Sequence, residues 1–248
     1  MKNLYGSSLI MWLLAFQIFT SANSLLPVEK NSNSFLMAKM LLLSAPNGGE
    51  IWQAGTQKTI SWVSNEIEFI RIEFTSNNGA TWNVIRNSIA ANEGSVQWSI
   101  PTDVSSAISK VRIYDISDPS LGDSSDNVFT IKRLEVTSPT LGTKFQIGTT
   151  RSINWIASNT IDTVQIQYST NNGLTWQTVV SKTAASAGTY SWFVPNTTTT
   201  SQARIRITDI IDNSIVATSS QFSISSLNIT SPIGGENWFG GSSRAITW

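Results

Sequence analysis

Pro46-Asn47-Gly48-Gly49-Glu50-Ile51-Trp52-Gln53-Ala54-Gly55 runs on to Thr59-Ile60-Ser61-Trp62, and the chain writes this stretch three times. Pro46, Trp52, Gly55 and Trp62 return as Pro139, Phe145, Gly148 and Trp155, each 93 positions later. They return again, at the same interval, as Pro232, Trp238, Gly241 and Trp248. A fixed period of this kind marks tandem copies of one structural unit. Two complete units are expected, 41–133 and 134–226, followed by the opening of a third at 227–248. Some 22 residues cannot close a domain of their own, so the sequence reads as a fragment of a longer array.

Within a unit the apolar residues alternate. Ile60 and Trp62 alternate with Thr59 and Ser61, and Ile70, Ile72 and Phe74 with Arg71 and Glu73. Val96, Trp98 and Ile100 follow, then Val111 and Ile113, then Phe129 and Ile131. A period of two with one apolar face is the pattern of a half-buried strand. No segment sustains a 3.6-residue period, so no helix longer than a turn is expected. With Leu41–Ser44 and Thr81–Arg86 the count is about seven strands per unit, the number a two-sheet sandwich of the immunoglobulin or fibronectin type III kind requires. The second unit keeps the pattern: Val164, Ile166 and Tyr168 stand for Ile70, Ile72 and Phe74, now 94 positions apart, and Trp192 stands for Trp98. Insertions that fall in loops while apolar positions stay in phase indicate a shared fold. The fold class expected is all-β, tandem β-sandwich modules.

Asn77-Asn78-Gly79 and Asn171-Asn172-Gly173 lie between alternating strands, and Asn-Gly suits turns that need positive φ. The flanking strings, Thr75 to Trp82 and Ser169 to Trp176, look like the Asp-box hairpin of sialidase-type propellers with Asn in place of Asp, a structural brace. A propeller blade would repeat at about 40–50 residues, so the interval of 93 argues against one.

Composition narrows the chemistry. Sixteen basic and sixteen acidic residues cancel, which leaves no electrostatic footprint for nucleic acid. The chain has no His and no Cys. That removes the commonest general base and metal ligand, and with them thiol nucleophiles, zinc–thiolate sites and disulfides. Met1 to Ser24 has the form of a secretory signal peptide: Lys2, an apolar run from Leu9 to Phe19, then small residues suited to cleavage after Ala22 or Ser24. The run is too short to cross a bilayer comfortably, which takes about 20 residues. Residues 25–40 read as a linker.

Four candidate features remain. Trp62, Trp98, Trp155 and Trp192 lie on apolar strand faces and are expected in the cores. Trp52 and Trp238 sit near a turn and are the candidates for stacking on a sugar, although Phe145 at the equivalent place suggests an apolar plug. Asp115, Asp118, Asp123 and Asp126 form a candidate calcium cluster, since calcium takes 6–8 oxygen ligands; the second unit keeps only Asp209 and Asp212, which favours solvated turn acids. Asn196 and Asn228 head glycosylation sequons that are meaningful if the source is eukaryotic. No residue constellation supplies a catalytic site or a cofactor.

The recurring string resembles a known module. Ser44, Pro46, Gly48, Gly49, Glu50, Trp52, Gly55 and Trp62 carry the resemblance, with Ser138, Pro139, Gly142, Gly148 and Trp155 in the second unit. Ser231, Pro232, Gly234, Gly235, Glu236, Trp238, Gly241 and Trp248 carry it in the third. These residues are similar to the N-terminal domain of the yeast cell-wall β-1,6-glucan synthesis protein family, which also heads Ser/Thr-rich GPI-anchored surface proteins. The resemblance implies an immunoglobulin-like, non-catalytic domain with a cell-wall or cell-surface role. The expectation is a secreted or surface-exposed repeat protein, structural or adhesive, whose partners are cell-wall polysaccharide or surface proteins. Membrane attachment would come only through the N-terminal segment or an anchor outside this sequence. The alternatives are an accessory segment of a larger secreted hydrolase and a polysaccharide-binding module.

Overall fold

A computed structural model of the chain describes residues 38–247 apart from 198 and 228. The expected signal peptide at 1–24, most of the linker at 25–40, Asn228 and Trp248 lie outside the described residues.

The first module is built from β1 (Met40–Ala45), β2 (Ile51–Gln53), β3 (Gln57–Asn65), β4 (Phe69–Thr75) and β5 (Asn83–Ala90), then β6 (Ser95–Ser99), β7 (Ser106–Asp115), β8 (Gly122–Ser124) and β9 (Phe129–Lys132). The second is built from β10 (Leu134–Ser138), β11 (Lys144–Gln146), β12 (Thr150–Ala157), β13 (Thr163–Ser169) and β14 (Gln177–Ala184), then β15 (Thr189–Phe193), β16 (Thr200–Asp209), β17 (Val216–Thr218) and β18 (Phe222–Ser225). In each module a three-stranded sheet, β1-β3-β6 or β10-β12-β15, faces a larger one. The larger sheets run β2-β9-β7-β4-β5 and β11-β18-β16-β13-β14, with β8 and β17 added on β7 and β16. Among the described residues no strand is shared between modules. Both are all-β sandwiches of the fibronectin type III and immunoglobulin kind.

Seven strands per unit become nine segments because the first and last strands are each broken. The first breaks at Pro46-Asn47-Gly48-Gly49-Glu50 in module 1 and at Pro139-Thr140-Leu141-Gly142-Thr143 in module 2, where the chain passes from one sheet to the other. β1 pairs antiparallel with β3, whereas β2 pairs parallel with β9. Gly48 and Gly49 take φ of +125° and +85°, and a Cβ on Gly48 would lie 2.4 Å from the Cβ of Asn127, so this crossing admits no side chain there. Glu50 closes the turn by accepting the N–H groups of Asn47 and Gly48 at 2.8 and 2.9 Å. Thr143 takes that place in the second module, its Oγ1 accepting the N–H of Thr140 at 3.1 Å. Glu236 repeats the glutamate bracket in the third copy, on Ile233 and Gly234. The last strand breaks where buried Ser125 leaves the ladder, its Oγ accepting the Val111 N–H and donating to the Pro46 carbonyl.

Each sandwich has its own core. Ile60, Ile70, Ile72, Ile113, Phe129 and Ile131 are fully buried in the first, and Ile153, Ile166, Ile205, Ile207, Ile215 and Phe222 in the second. Each such side chain contributes about 1.5–3 kcal/mol, against about 0–1 kcal/mol for an exposed ion pair, so core packing dominates stability. Trp62, Trp98, Trp155 and Trp192 are buried. The indoles of Trp62 and Trp155 donate to the carbonyls of Ala91 and Ala185, which open one-turn 3-10 helices at Ala91–Glu93 and Ala185–Ala187. A buried indole N–H needs such a partner.

Candidate functional site: the joint between the modules

The expected sites do not assemble. Trp52 is only 7% exposed, packed 4.9 Å from Phe129 and 6.1 Å from Trp98 between ring centroids. This corrects the stacking assignment: three-residue β2 turns its middle side chain inward, and Phe145 makes the same contacts with Phe222 and Trp192. Trp238 is 47% exposed, in the third copy. Asn196 is exposed.

The four aspartates weighed as a calcium cluster and read as solvated turn acids are each separately engaged, and Asp115, at 2% exposure, is buried rather than solvated. Buried Asp115 accepts the Ser117 N–H and hydroxyl and the Lys39 ammonium. Asp118 binds Ser120, Asp123 accepts the N–H of Leu43 in β1, and Asp126 accepts from the Asn47 amide. Among the described residues no three acidic groups converge on a common metal position.

The hairpin strings are braces. Asn78 and Gly79 have positive φ, as do Asn172 and Gly173. The Asn77 Oδ1 accepts the Thr81 N–H at 2.9 Å, and Asn171 binds Thr175 alike. The Trp that ends each string lies under an arginine, Arg112 over Trp82 and Arg206 over Trp176, both at 4.3 Å.

The most elaborated polar site lies where the modules meet. Gln53 ends β2 and lies opposite Lys132, the last residue of β9, so both project from one end of module 1. Facing them is the β16–β17 turn of module 2, flanked by Asp209 and Val216. The Gln53 Nε2 donates to the Val216 carbonyl at 2.8 Å, and its Oε1 accepts the Val216 N–H at 3.1 Å. One carboxamide thus satisfies both polar groups of a residue at an otherwise open strand edge. Beside it the Lys132 ammonium donates to Asp209 at 2.7 Å, with side-chain exposures of 8% and 1%. Asp209 also accepts the Ile211 N–H at 2.9 Å. Asp212 sits in the same turn: the Ser214 hydroxyl above all, with the nearby charges of Lys132 and Lys58, holds its carboxyl below the usual aspartate range.

Sequence reasoning named none of these residues as a site. The signal was present: Gln53 and Gln146 are 93 positions apart, and so are Lys39 and Lys132. Lys39 pairs with Asp115 at 3.0 Å as Lys132 pairs with Asp209.

The fold and joint define a tandem of fibronectin type III or immunoglobulin-like sandwiches. Among solved structures, the fibronectin(III)-like modules of Clostridium thermocellum CbhA share 15% identity, cover 81% of this chain and 100% of theirs, and superpose with a TM-score of 0.27. The four N-terminal Ig domains of Dscam1 isoform 9.44 share 9% over 75% of this chain and 46% of theirs, at 0.30. A variant of titin domains I67-I69 shares 7% over 77% of this chain and 65% of theirs, at 0.34. No protein-family model matches the chain, and no curated protein matches it.

Proposed function

We propose that this protein is a non-catalytic, exported structural or adhesive element, in which jointed sandwiches act as a stiff spacer at the cell surface or in the cell wall. The observation that carries this reading is the joint. A buried ion pair and a two-way carboxamide clip at one boundary oppose rotation of one module against the other, and a connection with no task of holding orientation needs neither. The N-terminal segment with signal-peptide form and the Pro-x-Gly-Gly-Glu-x-Trp string of the first and third copies support the location. The polar residues singled out for chemistry support the absence of catalysis, since each is engaged in holding turns or strands together.

Two measurements test this. With no native Cys, fluorophores at Ser88→Cys and Ser181→Cys, one exposed site per module, report the distance between modules. One narrow distance distribution is expected; a broad, linker-like one would overturn the spacer reading. Labelling of intact cells with an impermeant amine reagent should modify the protein, and protection of the full cellular pool would overturn the location.

A further inference from the structure

Module 2 carries a groove on one flank, between β14 and β15, the outermost strands of its two sheets. It holds about 400 Å³ and is lined by Tyr168, Tyr190, Trp192 and Phe193 with Gln177 and Thr178 among others. Small-ligand sites span about 300–1,000 Å³ and combine aromatic walls with a few polar groups. None of the lining residues is charged. Phe193 is 62% exposed. The Tyr168 hydroxyl and the Gln177 Oε1 lie 2.6 Å apart, which leaves the Gln177 amide N–H groups without a partner among the described residues. The Trp192 indole is only 4% exposed, and among the described residues its N–H finds no partner either, yet it is not sealed from solvent. A buried indole N–H calls for an acceptor, and the groove is the side from which one can reach it.

The same flank of module 1 is built differently. Phe74, Val96 and Ser99 stand 94 positions before Tyr168, Tyr190 and Phe193, and Arg86 stands in the same relation to Val180. The Trp98 N–H also lacks a partner among the described residues, but there the Arg86 guanidinium crosses the opening, from β5 to the Gln97 carbonyl in β6 at 3.3 Å. Among the described residues no hydrogen bond crosses from β14 to β15. Module 1 completes its sandwich without the added rings and hydroxyls, so folding does not require them. Neighbouring modules leave the flank free. A complete module precedes module 2 and does not close the groove, and Gln97 and Ser99 stay exposed in module 1 with a complete module after them.

We infer that this groove binds a neutral glycan, a chain of β-linked pyranose rings. Such rings present flat C–H faces that pack on Tyr190 and Phe193, and a rim of hydroxyls that the Trp192 N–H, the Gln177 amide and the Thr178 and Ser191 hydroxyls can meet. An uncharged lining offers no counter-charge to an acidic glycan. A peptide added as a further strand fits less well, because β14 is bulged: its register against β13 shifts on either side of Ile166. A bulge bends an edge away from further pairing. The inference concerns one flank of module 2 and does not rest on the spacer reading or on where the protein acts.

The test titrates whole ¹⁵N-labelled protein with cellohexaose, laminarihexaose and chitohexaose. At least one should shift the Thr178, Ser191 and Phe193 amide resonances along a saturating curve, while Val84, Gln97 and Ser99 of module 1 hold still. Tyr190→Val/Phe193→Ser writes module 1's residues into the groove and should weaken that binding about tenfold, the worth of two lost aromatic contacts. Phe193→Ser alone, at an exposed position, should also weaken it, and supplies the comparison if the double variant loses spectral dispersion. Unmoved amides with all three glycans, equal movement in module 1, or binding that both variants keep at full strength would overturn the inference. A neutral Thr-Val repeat peptide is titrated in parallel. Shifts at the same amides with the peptide and with none of the glycans would assign the flank to strand addition and overturn it as well.

Discussion

The side-chain amide of Gln53 engages Val216 in both directions, donating to its carbonyl at 2.8 Å and accepting its N–H at 3.1 Å across 163 residues of sequence. A side chain here does what a neighbouring strand would do, and it binds the edge of one sandwich to the end of the other.

Gln53→Ala removes both bonds. A net hydrogen bond contributes about 0.5–1.5 kcal/mol, so coupling between the modules should fall by about 1–3 kcal/mol. Calorimetry should show one merged transition separating into two, with each module's own midpoint little changed. Gln53→Glu should be worse than Ala, because a carboxylate oxygen then faces the Val216 carbonyl. An unaltered melting profile for both variants would remove the clip from the account.

Lys132→Met leaves the Asp209 carboxylate buried without its cation. Breaking a buried pair from one side costs about 3–5 kcal/mol, and the loss should fall on module 2. Lys132→Met with Asp209→Asn should recover much of it, since no unpaired charge remains. Urea denaturation followed through the module 2 tryptophans measures both. A double variant no better than the single one would contradict this.

Acid should weaken module 1 through Glu73. Burial alone would push this carboxyl up, but hydrogen bonds and charge from Arg112, then Arg71, outweigh it and hold it below its ordinary value of 4.5. A folded-state pKa below the unfolded one gives stability that is present above about 4.5 and is lost as pH falls through the folded value. Asp115 behaves alike: burial raises it, and Ser117 and then Lys39 more than offset that. In module 2 the Glu73 place is held by Gln167, which receives Arg206 without a charge to titrate. Glu73→Gln should therefore cost stability at neutral pH, with the difference from wild type shrinking as pH drops. A difference constant with pH would count against the assignment.

Trp52→Phe should cost less than Trp52→Ala, because it leaves a smaller cavity and Phe145 already fills the equivalent place in module 2. Trp52→Ala should cost about 3–5 kcal/mol by opening a cavity. If Trp52→Ala instead left stability intact and abolished binding to a wall polysaccharide, the plug assignment would fail.

Ser109→Ala should stabilise the protein. Its hydroxyl is buried in the bulge where β7 meets β9 and has no partner among the described residues, whereas Ala203 occupies the same position in module 2. An unsatisfied buried polar group costs about 1–3 kcal/mol, so a gain of about 1 kcal/mol in thermal or chemical unfolding is expected. A loss would show that the hydroxyl is satisfied in solution.

What the sequence made legible was whatever repeats locally. The Ile70-Ile72-Phe74 alternation, the Asn78-Gly79 turn and the buried Trp62 and Trp98 follow from period and residue type over a few positions. The broken first strand was hidden because β2 has three residues, too few to display a period, and Trp52 beside two glycines therefore looked exposed. The four aspartates looked like a cluster because Asp115 to Asp126 are close in sequence. Partners about 80 positions away, Lys39, Leu43 and Asn47, draw three of them apart, and Asp118 turns to nearby Ser120. The joint links residues 77 and 163 positions apart, and no local pattern encodes such pairs. Only comparison of Gln53 with Gln146, and Lys39 with Lys132, hints at them.

The parallel pairing of β2 with β9 sets how a module bears tension. These short strands lie near the start and finish of the sandwich and run in the same direction, three residues against three. Traction on the two ends drags them past one another, so their ladder is loaded in shear and its bonds must yield together rather than unzip in turn. A chain of such units would resist a steady tug at both ends far better than a peel applied at one edge.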